Sequence, residues 1–273
     1  MQKNITQFIS AIKKALSVFI LIMLSYLSFS QNIPPPPSHS NGDSTKDIFH
    51  LKGGVTVTNN GISLIPTFSL GKPAAIFDLS LGKKKLFFEP QLRFALEGKP
   101  WSFIFWWRYK LITTKTFSVS LGAHPSLVFK TVTAFVNGVS QKLITADRYL
   151  ATELSPNYFI SKNVSVGIYY LYSHGVDRQA VRNTHFLTIN SNFSHIKLTK
   201  QFYARFNPQG YYLSQDGKEG YYFTYTLTLA IKNFPLSIQT IGNKVIHTNI
   251  TASKNFVWNA SLIYSFNKNY VKH

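Results

Sequence analysis

Residues 86–97 read Leu86-Phe87-Phe88-Glu89-Pro90-Gln91-Leu92-Arg93-Phe94-Ala95-Leu96-Glu97, and this stretch decides the fold. One alternate set is Leu86, Phe88, Pro90, Leu92, Phe94 and Leu96; the other holds Glu89, Gln91, Arg93 and Glu97 beside Phe87 and Ala95. Side chains alternate across a β-strand, so this is a strand with one apolar and one polar face. The same period returns over 101–111, 117–129, 221–231 and 256–266, and no Lys, Arg, Asp or Glu falls on any of those apolar faces. A sheet facing water charges its outer face, whereas a strand facing lipid cannot. The pattern predicts an all-β chain, an antiparallel up-and-down transmembrane β-barrel.

Composition narrows the classes. The chain has 273 residues and no Cys, which excludes disulfides, thiolate metal sites and a lipoprotein anchor on Cys. Lys3, Lys13 and Lys14 precede the apolar run Ala15 to Leu27, and Ser28-Phe29-Ser30 follows with small residues. This reads as a cleaved signal peptide over 1–30, because a 13-residue run is short of the ~20 that a spanning helix needs. The formal charge of +19 loses three lysines with that segment and becomes +16. The lysines lie singly or in short clusters between strands rather than on one face, which argues against nucleic acid as a partner.

Residues 31–50 contain Pro34 to Pro37 and a Ser, Asn, Gly and Asp cluster, and read as a disordered Pro-rich periplasmic segment. The barrel is expected over 51–266, with a tail at 267–273. Twelve strands are expected at 62–70, 74–82, 86–97, 101–112, 116–130, 148–160, 163–173, 184–194, 200–213, 220–231, 235–242 and 256–266. Gly54 to Thr58 is taken as a periplasmic or lumenal segment, since a thirteenth strand would leave the N-terminus outside. The connections alternate long and short, such as 243–255 against 232–234, as periplasmic turns and extracellular loops do. Parity places the C-terminus in the periplasm. Trp101 and Tyr109 share the outward phase, roughly 20 Å apart, near the spacing of aromatic girdles. Pro66, Pro90, Pro125, Pro156 and Pro208 fall on outward phases and imply bulges there.

Residues 61–266 resemble the outer-membrane β-barrel proteins of Gram-negative bacteria, including Leu262, Tyr264 and Phe266, which resemble the aromatic signal read by the barrel-assembly machinery. The resemblance implies an outer-membrane location and assembly by that machinery. It is one of architecture, and architecture does not set activity.

The candidate lumen-lining charges are Glu89, Arg93, Glu97, Arg108, Lys110, Lys130, Glu153 and Arg205. They read either as a filter for anions or as internal ion pairs. Phe87, Trp106, Tyr149, Tyr169, Tyr203 and Tyr222 also point inward, and with twelve strands they predict a narrow or plugged lumen. His124-Pro125-Ser126, with Asn157 on the next strand, resembles the catalytic set of outer-membrane phospholipase A. That resemblance implies a lipid hydrolase, although His124 and Ser126 take the inward phase here. Lys83, Lys84, Lys85, Lys115, Lys162, Lys197 and Lys232 lie in periplasmic turns, where they serve as solubilisers or attract an acidic partner. Lys72, Lys99, Lys142, Arg148, Arg178, Arg182 and Lys254 face lipopolysaccharide. No phosphate loop, calcium loop or paired His ligands appear, so neither metal nor organic cofactor is expected. The functional expectation is a narrow passive channel for small, anionic solutes; the alternatives are a non-conducting structural or assembly barrel with an envelope partner, and the lipid hydrolase.

Overall fold

The computed structural model describes residues 48–136, 139–251 and 254–271, so the expected signal peptide and most of the Pro-rich segment lie outside the described residues. The strands are β1 (Ile48–Thr58), β2 (Ala74–Lys83), β3 (Leu86–Ala95), β4 (Pro100–Thr113), β5 (Phe117–Val136), β6 (Val139–Phe159), β7 (Val164–Gly175), β8 (Asn183–Lys197), β9 (Phe202–Gln215), β10 (Lys218–Ile231), β11 (Leu236–Thr248) and β12 (Phe256–Val271). Each pairs antiparallel with its chain neighbours, and β1 closes the barrel on β12 from Ile48↔Val271 to Thr58↔Ser261. Closure satisfies every edge, which a sheet in hydrocarbon requires. Among the described residues no helix is long and apolar enough to cross a membrane.

Twelve strands were expected and twelve are present, but the first is a different segment. Residues 48–58 form β1, and residues 62–70 are not a strand of the barrel. Gly53 and Gly54 weaken the strand pattern of the first stretch, yet their absent side chains admit Phe266 and the Tyr264 backbone at close range. In the second stretch Phe68 N donates to Ile65 O at 3.0 Å, placing Pro66 and Thr67 at the centre of a β-turn, where the fixed φ of proline is suited to its first central position. Ser63 N to Phe68 O, the Ile62↔Ser69 bridge and Leu70 N to Gly61 O complete a short hairpin. Its alternating apolar residues face the barrel interior rather than lipid. Parity survives because one strand replaces another. At the other end β12 runs to Val271, so the expected tail at 267–271 is strand, paired with Ile48–Lys52.

The prolines make no bulges. At Pro90, Pro125, Pro156 and Pro208 one ladder loses two residue pairs and resumes in the same register, as between Ile104↔Ser126 and Trp107↔Ala123. A strand residue donates its N–H to one neighbour only, so proline opens one ladder and leaves the other intact. The register shifts lie elsewhere, at Arg93/Phe94, Lys110/Ile112, Phe193/Ile196 and Tyr221/Tyr222. The first of these overturns one facing. Trp101, expected outward, is 9% exposed, lies over Arg93 at 5.5 Å and abuts Gly61, because the irregularity turns it towards the lumen.

The outer surface is an uncharged belt. Phe77, Trp107, Leu121, Leu150, Ile168, Ile189, Ile238 and Trp258 are all exposed there, which only an apolar surrounding makes favourable. Phe77, Phe94, Phe103 and Phe129 form a chain of ring contacts across β2 to β5. The connections 84–85, 114–116, 160–163, 198–201 and 232–235 are short and lie at the end that holds Ile48 and Val271; the longer 59–73, 176–182 and 249–255 lie at the other. This asymmetry matches the long and short connections expected from the sequence. The β5–β6 ribbon overshoots its neighbours at the long-loop end, with pairs continuing from Val128↔Asp147 to Val136↔Val139.

Candidate functional site

The lumen has two halves. In the long-loop half the hairpin 61–72 folds inward, and Leu64, Ile65 and Phe68 pack on Trp106, Leu171, Phe186, Tyr211, Leu213 and Tyr222. Trp106 and Leu213 are 0% exposed and Tyr222 is 1% exposed, so this layer excludes water. Tyr211 and Tyr222 stack at 4.7 Å, and Phe186 meets Tyr211 edge-on at 5.1 Å. Tyr211 Oη accepts from Thr67 N at 3.1 Å and donates to Asn243 Oδ1 at 2.8 Å, tying the turn of the hairpin to two strands. The expectation of a narrow or plugged lumen is met by a chain segment in addition to inward aromatics. Tyr211, Phe186 and Leu213 were not singled out in the sequence, although their phase on β8 and β9 marks them as inward.

Immediately beneath lies a charged floor. Arg108 donates from Nη1 to Glu89 Oε2 at 2.5 Å and from Nε and Nη2 to Glu153 at 2.5 and 3.1 Å, with its guanidinium 4.2 Å from the Trp106 ring. Ser80 Oγ donates to Glu89 at 2.8 Å and Tyr169 Oη to Glu153 at 2.7 Å. Five strands thereby converge on one guanidinium, whose planar fork suits two carboxylates at once. The strand alternation predicts that Glu89, Arg108 and Glu153 face inward; only barrel closure and register bring them together.

The other expected lumenal charges separate. Arg93 is buried, with Nη2 donating to Gln91 Oε1 at 3.0 Å and Trp101 over it, so it is a structural cation at the side of the plug. Glu97 is at the long-loop rim, bridging Lys72 and Lys99 at 3.1 and 3.5 Å, and does not line the lumen. Its place follows from the end of β3 at Ala95, which puts Glu97 in the following turn. Lys130 pairs with the buried Asp147 near the same end. Lys110 lies 4.3 Å over Phe87, and Arg205 5.9 Å over Tyr203. Three charges escaped the sequence reading, the first being Asp147, which that reading placed in a loop and which is buried on β6. Lys52 is on β1, which was read as outside the barrel, and Asp78 occupies the inward phase of β2, where the alternation Ala74, Ile76, Asp78, Ser80 could have revealed it.

Lys52, Asp78, Ser80, Glu89, Gln91 and Arg108 line a cavity of about 300 Å³ beside the floor network, against β1, β2 and β3. The proposed hydrolase residues do not assemble. His124 packs edge-on against Trp106 at 4.0 Å, while Asn157 donates to Ser155 and lies opposite Ser118. Asn157 is thus offset from His124 by six positions along β5, roughly 20 Å at strand rise. Ser126 is buried opposite Tyr149.

Outside the membrane, two carboxylates clip the long loops. The Arg148 side chain and its N–H hold the Asp177 carboxyl below the usual carboxylate range. Asp216 is lowered in the same way by the backbone N–H groups of Arg182 and Asn183.

Neither a protein-family model nor a curated protein sequence matches the chain. Among solved structures, it is similar to the KdgM porin, at TM-score 0.49 and 12% identity over 80% of this chain and 99% of that one. It is also similar to the NanC porin, at 0.47 and 10% over 82% and 100%, and to the COG4313 outer membrane channel from Pseudomonas putida F1, at 0.46 and 11% over 86% and 100%. The chain is a closed, antiparallel β-barrel of twelve strands among the described residues, with an apolar outer belt of the kind that spans a membrane.

Proposed function

We propose that this barrel, exported through a cleaved segment at residues 1–30, is a narrow passive channel that favours small anions and is held shut at rest by the hairpin 61–72. The observation that carries the reading is the balance of lumenal charge. Every inward carboxylate on the described strands is engaged: Asp78 with Gln91 and Arg93, Glu89 and Glu153 with Arg108, and Asp147 with Lys130. Lys52, Lys110 and Arg205 form no ion pair among the described residues, and set against the one carboxylate charge that Arg108 leaves over they give this part of the lumen a surplus of positive charge. Cations lining a pore raise the local concentration of anions and their passage.

The test is the reversal potential of the purified protein in planar bilayers under a salt gradient. Chloride preference is expected, and it falls in Lys52→Gln, Lys110→Gln, Arg205→Gln. A parent protein that prefers potassium overturns the reading. The water-excluding layer around Trp106 favours one second reading, a non-conducting barrel that works through an envelope partner. Silence that persists after the hairpin is removed would select it.

A further inference from the structure

We propose that the short-turn end of the barrel is a collar for anionic lipid, holding the headgroup phosphates of the leaflet around it. Lys85, Lys115, Lys162, Lys200, Lys232 and Lys268 are exposed there and are spread round the perimeter, with at least one in each short turn and one near the end of β12. No Asp or Glu occurs in any of those turns. The other end is built differently: Lys72 and Lys99 bridge Glu97, and Arg148 is paired with Asp177 at 2.6 Å. The long-loop end thus carries its own carboxylates, Glu97, Asp177, Asp216 and Glu219, whereas the short turns carry none to set against Lys85, Lys115, Lys162, Lys200 and Lys232.

Placement selects lipid over an acidic protein. Each lysine neighbours an exposed apolar residue of the outer belt: Leu86, Ile112, Ile160, Phe202, Phe234 and Tyr270 lie within three positions of the six lysines in the same order. A lysine stem can follow such a surface while its ammonium reaches the headgroup layer, and anionic leaflets attract cations placed there. A protein partner would need one contiguous sector, whereas this charge encircles the barrel where acyl chains meet headgroups.

The full chain is reconstituted in phosphatidylcholine vesicles with and without phosphatidylglycerol, and its unfolding temperature is measured. A higher temperature is expected with phosphatidylglycerol, and the gain should vanish at high salt. It should be lost in Lys85→Gln, Lys115→Gln, Lys162→Gln, Lys232→Gln and kept in the matching Lys→Arg set. The collar is refuted if the Gln set keeps the gain, if Lys72→Gln with Lys254→Gln abolishes it instead, or if inorganic phosphate added to phosphatidylcholine vesicles reproduces it. A second measurement uses Trp107, which faces the belt on the strand that runs into the short turn 114–116, in a Trp258→Phe background because Trp258 lies beside the long-loop connection 249–255: brominated phosphatidylglycerol should quench its fluorescence more than brominated phosphatidylcholine at low salt. Equal quenching by both lipids sinks the proposal.

Discussion

Loosening the hairpin 61–72 should turn a closed barrel into one that opens measurably often. The hairpin is held by Ile62, which is 5% exposed, by the partly buried Leu64, Ile65 and Phe68, and by the Thr67 N to Tyr211 Oη hydrogen bond. Full burial of Ile62 is worth about 2 kcal/mol and half-burial of the other three about 1 kcal/mol each. The hydrogen bond adds about 1 kcal/mol. The sum of about 6 kcal/mol corresponds to one withdrawn hairpin in about thirty thousand molecules. Replacing Ile65 and Phe68 together by Ser removes about 2 kcal/mol, a rise in open fraction of about thirtyfold. The barrel wall is untouched, since neither residue belongs to a strand. Single-channel recording in planar bilayers reads the open probability directly, and the unfolding temperature of the same samples in detergent shows whether the wall is intact. An open probability unchanged in a folded variant would refute the hairpin as the closing element.

The remaining expectations concern neighbouring parts of the same architecture. Gly61→Val should also favour opening, because even a Cβ there would lie 2.8 Å from the Trp101 ring and 3.1 Å from Ala74 Cβ; equal open probability in parent and variant counts against that contact. Arg108→Met leaves Glu89 and the buried Glu153 unpaired and should destabilise the barrel by about 3 to 5 kcal/mol, read as a lowered denaturant midpoint, whereas a midpoint at the parental value contradicts the floor network. Asp177 and Asp216 have lowered carboxyl pKa values in the folded chain, so their contribution is present above the ordinary value of 3.8 and is lost as pH falls through the folded value. Exchange of the Arg148, Arg182 and Asn183 amides should therefore accelerate below that pH, and Asp177→Asn should bring the Arg148 change to neutral pH. Protection that persists in strong acid argues against the clips.

The sequence alone determined eleven of the twelve strands, the phase of their side chains except at Trp101, and the membrane face. Those depend on which of two alternate positions carries charge, a property local to a few residues, and hydrocarbon tolerates charge so poorly that the pattern is sharp even beside Pro90 or Pro125. Phase also identified Glu89, Arg108 and Glu153 as inward residues. Their meeting at one guanidinium required closure, because β3, β4 and β6 contribute one partner each and register sets their common height. The same dependence separates β1 from the hairpin. Residues 62–70 alternate as well as a spanning strand does, and nothing nearby in sequence tells a lipid environment from an apolar barrel interior. Only the three-dimensional arrangement decided it: β12 hydrogen-bonds to Ile48–Thr58, and the space left inside is filled by Leu64, Ile65 and Phe68.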